Sequence, residues 1–274
     1  FFKQKTAYEI RNCDWSSDVC SSDLVSTLDR WYAVRAPGRA GEVSMCGRVR
    51  LDTDWSEIVR IFEIDMTELD DWSPKYNIAP THLVPVLTGP RGHRSARYMS
   101  WGFVPWFEKS PKPRSRPINA KAEGVVTSGM FKGAFARHRC IVPASGFYEW
   151  TTEPDGKQPW LFTRTDGLPL ALAGIWDRWR PEGGPALDTF CVLTTAANAD
   201  TSMVHDRMPV VLPDRAAMDL WTDADADEVL LARLLAPLPD GSLKRVAINR
   251  RMGSPAHDRP EDCAPVDPRG PLFG

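Results

Sequence analysis

The sequence predicts an α+β fold, a single domain with a bent mixed β-sheet or barrel-like core and peripheral helices. Three observations predict it. Short β-rich segments recur, broken by glycine and proline; helical patterning is confined to a few stretches; and there is neither a βαβ rhythm nor an internal repeat. With 274 residues, 42% of them hydrophobic, the chain can bury a sizeable core.

The first 44 residues carry no periodicity of either kind. Residues Phe2–Ile10 and Asp14–Leu24 resemble translated sequencing-adapter DNA, and the Arg/Gly/Ala-rich stretch after them reads as translated upstream sequence. A tail or a tag are the alternatives. The reading adopted is an extraneous leader over 1–44, a start at Met45, one domain over 45–265 and a loose tail over 266–274.

From there the elements follow in order. Residues 46–51 read as a short strand leading to an N-cap at Thr53 or Asp54, and Trp55, Ile58, Val59 and Phe62 are spaced for a helix. Asn77–Pro80 reads as a loop. Leu83–Leu87 is strand-like, with Pro85 suggesting an edge or bulge, and Arg97–Val104 alternates as a strand ending at Pro105. Residues 108–118 form a Pro/Lys/Arg/Ser loop. Residues 119–137 pattern as a helix with Met130, Phe131 and Phe135 on its apolar face. Strands are expected at Cys140–Val142, Gly146–Thr151, Trp160–Thr163, Leu170–Trp176, Thr189–Thr194 and Arg207–Leu212. Two helices fill about 213–236, Lys244–Ile248 is a closing strand, and the Pro-rich end from Pro255 reads as loose.

Bulk chemistry excludes several classes. No apolar run approaches the roughly 18 residues of a membrane span. The six cysteines include no C-x-x-C pair, so neither a zinc site nor a disulfide scaffold is expected, and no metal or cofactor is called for. The setting expected is reduced, soluble and cytoplasmic. Net charge is −2; six basic and six acidic residues fall in 1–44, leaving 28 against 30 beyond. Any nucleic-acid affinity must therefore come from a local cluster. One exists: Lys109, Lys112, Arg114, Arg116, Lys121, Lys132, Arg137 and Arg139 stand against Glu123 alone, near Trp101, Trp106, Phe107 and Phe131. Bases stacking on aromatics and phosphates on cations fit a single strand. A solvated loop over core tryptophans fits as well.

Four residues carry candidate chemistry. Cys46 is either a small buried hydrophobe or, once Met45 is removed, an N-terminal residue with an amine near ~7.7–8 and a thiol near ~8.5. Such a 1,2-aminothiol condenses with an aldehyde to an imine and closes to a thiazolidine. His205 is either structural or a proton shuttle. Glu149, between Tyr148 and Trp150, is either an outward strand glutamate or an enclosed carboxyl that holds a proton. Asn119 is either a helix N-cap or a group that orients a sugar or carbonyl oxygen.

Eight segments in order carry a resemblance: Met45-Cys46-Gly47-Arg48, Tyr76-Asn-Ile-Ala-Pro-Thr81, Trp101-Gly-Phe-Val-Pro105, Asn119-Ala-Lys-Ala-Glu123, Arg139 through Trp150, Leu172-Ala-Gly-Ile-Trp176, Thr194-Thr-Ala-Ala-Asn198 and His205-Asp-Arg-Met-Pro209. Over 45–250 the chain resembles the SRAP family, the SOS response-associated peptidases viewed as abasic-site processing proteins. The resemblance implies that Cys46 is the covalent nucleophile, that Asn119 and Glu149 assist, and that His205 is the acid or base. It further implies that Arg48, Asn77, Trp101, Lys121, Trp150, Thr194 and Arg207 line the DNA or its sugar. Lys121 stands where the family carries arginine, and lysine lacks the bidentate fork. The implied partner is single-stranded DNA containing abasic sites, met by a monomer. A thiol peptidase and a non-catalytic single-strand binder are the rival readings.

Overall fold

The computed structural model describes residues 47–67, 69, 71–110 and 113–268. The leader, Cys46, Lys112 and the tail from residue 269 lie outside the described residues. Asp54, at the end of the first strand's turn, caps α1 (Trp55–Phe62) by accepting the Ser56 amide at 2.8 Å. The helix buries Ile58 and Phe62 and stops at Glu63, whose φ of 49° is left-handed.

Two sheets form among the described residues. The first joins β1 (Val49–Leu51), β3 (Lys75–Ile78), β8 (Gly146–Glu153), β9 (Gly156–Arg164) and β14 (Leu243–Ala247), antiparallel in the order β14-β9-β8-β1-β3. The second joins β2 (Met66–Thr67), β4 (Leu83–Thr88), β5 (Ser95–Trp101), β7 (Arg139–Ala144), β10 (Leu170–Trp179), β11 (Leu187–Ala196) and β12 (Arg207–Pro209), in the order β12-β11-β10-β7-β4-β5-β2. Short β6 (Asn119–Lys121) lies beside β11, and β13 (Val211–Leu212) beside β10. Because β5 also pairs in parallel with β11, through Ser100 with Thr189 and Trp101 with Phe190, this sheet closes on itself. The expected barrel-like α+β core is what forms.

Packing explains why β7 is buried on both faces. Outside it lie α2 (Lys132–Arg137) and α3 (Arg215–Thr222). Trp221 of α3 donates to the Cys140 carbonyl at 2.8 Å and meets Phe135 of α2 edge-on at 5.8 Å. In β10, a Cβ on Gly174 would come within 2.9 Å of the Cys140 sulfur and 3.1 Å of the Cys191 carbonyl, so only glycine lets the strands approach. A further helix, α4 (Glu228–Arg233), follows α3. No helix among the described residues is long and apolar enough to cross a membrane.

Several local expectations are corrected. Residues 119–137 are not one helix: β6 pairs with Val192–Thr194, a 3-10 turn follows at Ala122–Gly124, and α2 begins only at Lys132. Sheet pairing overrides the helical spacing, and Gly124 and Gly129 weaken that spacing further. Asn119 is therefore no N-cap. Of the loop expected over Asn77–Pro80, Asn77 and Ile78 belong to strand β3, and only Ala79 and Pro80 lie outside it. Strand β4 is flanked on both sides, yet Leu87 forms its one rung with β7, so Pro85 removes no bond from that ladder. Strand β5 stops at Trp101, where Gly102 turns with φ 134°. Residues 207–212 split into β12 and β13 around Val210, whose amide bonds Leu193 while its carbonyl bonds Ala173. The stretch after Pro255 is packed: Asp258 accepts the amides of Tyr76 and Asn77 at 2.6 and 2.8 Å, and Asp262 and Cys263 are buried in a 3-10 turn.

Candidate active site

Strand β8 alternates between two interiors. Phe147 points into the main core, stacked on Phe162 at 5.0 Å, and Tyr148 points into a smaller cluster with Ile248, Met252 and Cys263. By the two-residue period Glu149 shares the face of Phe147, and it is 3% exposed on a rung with Trp160. The outward-glutamate alternative is thereby removed. Strand β1 runs antiparallel beside β8, Val49 opposite Phe147, and the Arg48 carbonyl accepts the Tyr148 amide at 3.0 Å. Strand β1 thus begins at Val49, three residues after Cys46 in sequence, alongside the strand that carries Glu149.

Arg48 lies over the ring of half-buried Trp150, 5.8 Å from its centroid. Its guanidinium donates to Asn77 Oδ1 at 2.8 Å and to the carbonyls of Met252 and Gly253 at 2.9 and 3.0 Å. Burial holds it below its ordinary value, opposed by Tyr148. Asn77 in turn donates to the carbonyls of Met252, Ser254 and His257 at 3.2, 2.9 and 2.8 Å. These two residues hold the 252–258 segment against β1 and β3.

A second group gathers on β11. Parallel pairing sets Asn119 opposite Val192 and Lys121 opposite Thr194, while β12 sets Arg207 opposite Ala196. Asn119 is half-buried and Lys121 is exposed. Arg207 reaches across to Glu123, on the turn after β6, as a bidentate pair, and its Nη2 also donates to the Thr194 carbonyl at 2.6 Å. His205 precedes β12 with its side chain 12% exposed. Its Nδ1 lies 3.1 Å from the Arg207 amide and 2.8 Å from the Asp206 carboxylate. One nitrogen cannot serve both at once: the neutral ring accepts the amide and keeps its proton on Nε2, and the protonated ring donates Nδ1–H to Asp206.

Of the expected DNA-lining residues, Asn77, Trp101 and Thr194 are closed off at 1% exposure or less. Trp101 stacks on Phe190 at 6.1 Å and donates to the Ile118 carbonyl at 2.9 Å. Their placement is a correction: they frame the site and do not face outward. The basic cluster also divides. Arg139 is buried, donating to the carbonyls of Trp221, Phe135, Ala136 and Asp223, and is a structural cation. Arg116 bonds Ser100 at 3.0 Å. Lys109, Arg114, Lys121, Lys132 and Arg137 are exposed. Among the aromatics Phe131 packs on Phe103 at 5.5 Å, whereas Trp106 and Phe107 are 66% and 49% exposed and meet edge-on at 5.8 Å.

Sequence reasoning missed Glu123 as the partner of Arg207 and Asp258 as the anchor of β3. Glu123 was visible only as the lone acid of a basic stretch, and nothing local marks Asp258. A cavity of about 440 Å³, lined by Arg50, Asp52, Ser145, Arg164 and Lys244 among others, holds none of the expected site residues. Two of its three cations are already matched, Arg50 by Asp52 and Arg164 by Asp166.

Residues 45–255 match the SRAP family, described as SOS response associated peptidase. The chain is similar to the abasic site processing protein YoqW of Bacillus subtilis (strain 168), 30% identical over 220 residues, which cover 79% of this chain and 98% of that one. It is also similar to the abasic site processing protein YedK of Escherichia coli (strain K12), 33% identical over 180 residues, 64% of this chain and 78% of that one. An X-ray structure of a protein from Bacteroides thetaiotaomicron shares the fold with a TM-score of 0.73 at 21% identity, covering 81% of this chain and 100% of that chain.

Proposed function

Because this chain belongs to the SRAP family, we propose that it processes abasic sites in single-stranded DNA through Cys46, once Met45 and everything before it are removed. The observation that carries the reading is the pairing of β1 with β8, which sets Val49, three residues after Cys46, opposite Phe147 on the strand that carries buried Glu149. The family match beginning at Met45, and the printed names of the relatives, support it.

In the proposed reaction the α-amine of Cys46 attacks the aldehyde carbon of the ring-opened abasic sugar. Water leaves from the carbinolamine to give an imine. The thiol sulfur then adds to the imine carbon and its proton passes to nitrogen, closing a thiazolidine that joins protein to DNA. Ring opening and dehydration each need a proton moved. Glu149, enclosed, and His205, with its two available partners at Nδ1, are the groups assigned to that work. Asn119 orients the sugar oxygen. Lys121 and Arg207 meet phosphate, while Trp106 and Phe107 offer exposed faces for bases. Arg48, Asn77, Trp101 and Thr194 hold these parts in place. The imine also permits strand scission by β-elimination.

The test is incubation of the trimmed protein with an abasic single-stranded oligonucleotide, read on a denaturing gel. A denaturation-resistant adduct that Cys46→Ala abolishes supports the reading; its absence with Cys46 verified as N-terminal refutes it. The family description favours one second reading, a thiol peptidase using Cys46, Glu149 and His205. That reading requires turnover of peptides in trans, whereas cleavage confined to the chain's own leader is maturation only.

A further inference from the structure

The outward face of Arg207 is already occupied. Its two terminal nitrogens meet both carboxylate oxygens of Glu123, Nη2 to Oε2 at 2.9 Å, while Nη2 also lies 2.6 Å from the Thr194 carbonyl and 3.3 Å from the Thr194 hydroxyl. The partners differ in setting: the Arg207 side chain is 12% exposed and that of Glu123 is 58% exposed. The carboxylate is thus the more accessible member of the pair. Two oxygens in one plane against a guanidinium fork is also the geometry that a phosphate presents. The hydrogen bonds from Arg207 hold the Glu123 carboxyl below the usual carboxylate range, with Lys121 adding to the effect, so it stays charged at neutral pH.

A purely structural role explains the pair poorly. Thr194, buried in β11, anchors Arg207 through its carbonyl without help, and exposed ion pairs add little to stability. We propose that Glu123 is a built-in phosphate mimic that fills the Arg207 fork in the unbound protein and yields it to a DNA phosphate on binding. This deepens the reading of the site as one for single-stranded DNA. Exchanging a carboxylate for a phosphate leaves Arg207 with little net counterion release, so reversible affinity for any single strand is held down. Undamaged strands are then let go, while an abasic strand is retained by its bond to Cys46.

The experiment measures binding of an undamaged single-stranded oligonucleotide across a salt series, for wild type, Glu123→Gln and the double variant Glu123→Gln with Arg207→Gln. Freeing one cation for phosphate steepens the slope of log K against log salt by about 0.7 for a single strand. Between 50 and 200 mM salt the advantage of Glu123→Gln over wild type should therefore shrink about threefold. In the double variant the slope should return to that of wild type. An unchanged or shallower slope in Glu123→Gln overturns the proposal. So does a slope that stays steep in the double variant, because removal of one negative charge, and not Arg207, would then be the cause. Adduct formation on an abasic oligonucleotide, run with the same samples, reports separately on the chemistry of Cys46. Its failure would count against that chemistry and leave the salt comparison to decide on Glu123.

Discussion

At the scale of single residues, burial separates groups that the sequence left undivided. Glu149 is enclosed on the face of Phe147 and, in the proposed reaction, moves a proton. Glu149→Gln should therefore slow adduct formation by about 10²–10⁴-fold while leaving reversible binding of undamaged strands within about twofold, measured by single-turnover gel kinetics and by anisotropy. The tryptophans divide more sharply. Trp101, 1% exposed and stacked on Phe190, is core, and Trp101→Ala should cost roughly 3–5 kcal/mol of stability. Trp106, 66% exposed, touches little. Trp106→Ala should leave the melting temperature unchanged and weaken single-strand binding by about 1–3 kcal/mol. A Trp106→Ala protein that binds as tightly as wild type would remove this residue from the stacking surface.

At the scale of elements, legibility follows the range of the interactions that fix each segment. Strand β8 and helix α1 were readable because β-rich composition, apolar spacing and a capping Asp54 lie within each segment. The stretch 119–137 was not, because β6 takes its form from pairing with Val192–Thr194, some 70 residues away, against its own helical spacing. The segment after Pro255 looked loose for the same reason: Asp258 is ordered by amides of Tyr76 and Asn77. Of the candidate site, the residue types around Glu149, Asn119 and His205 were legible, and the division into framing and outward-facing groups was not. The 252–258 segment yields a prediction at this scale. Asn77→Ala removes the donor that the carbonyls of Ser254 and His257 share, leaves Met252 with Arg48 alone and deprives Arg48 of an acceptor, so chemical denaturation should show a loss of roughly 2–4 kcal/mol. A loss below about 0.5 kcal/mol would mean that this segment does not brace β1 and β3.

At the scale of the whole molecule, near-balanced charge means that nucleic-acid affinity must come from local clusters and that stability varies with pH through particular groups whose surroundings shift them. His82 is one. His82 lies at the surface, and partial desolvation by its neighbours holds its imidazole below the ordinary value, with Arg48 and Lys75 acting the same way and Asp258 opposing. The unfolded chain therefore binds a proton at pH values where the folded chain does not. The stability this group supplies is present above its unfolded value, about 6.5, and is lost as pH falls below that toward the folded value. The melting temperature should drop between pH 7 and pH 5, and His82→Asn should flatten that part of the profile; parallel profiles would exclude His82 as the cause. Chemistry at Cys46 is read in one experiment, mass spectrometry of the product formed with an abasic single-stranded oligonucleotide. The expected mass equals protein plus DNA less one water, with the DNA on a peptide that begins at Cys46. An adduct on a lysine, or one formed while the preceding residues are still attached, would contradict it.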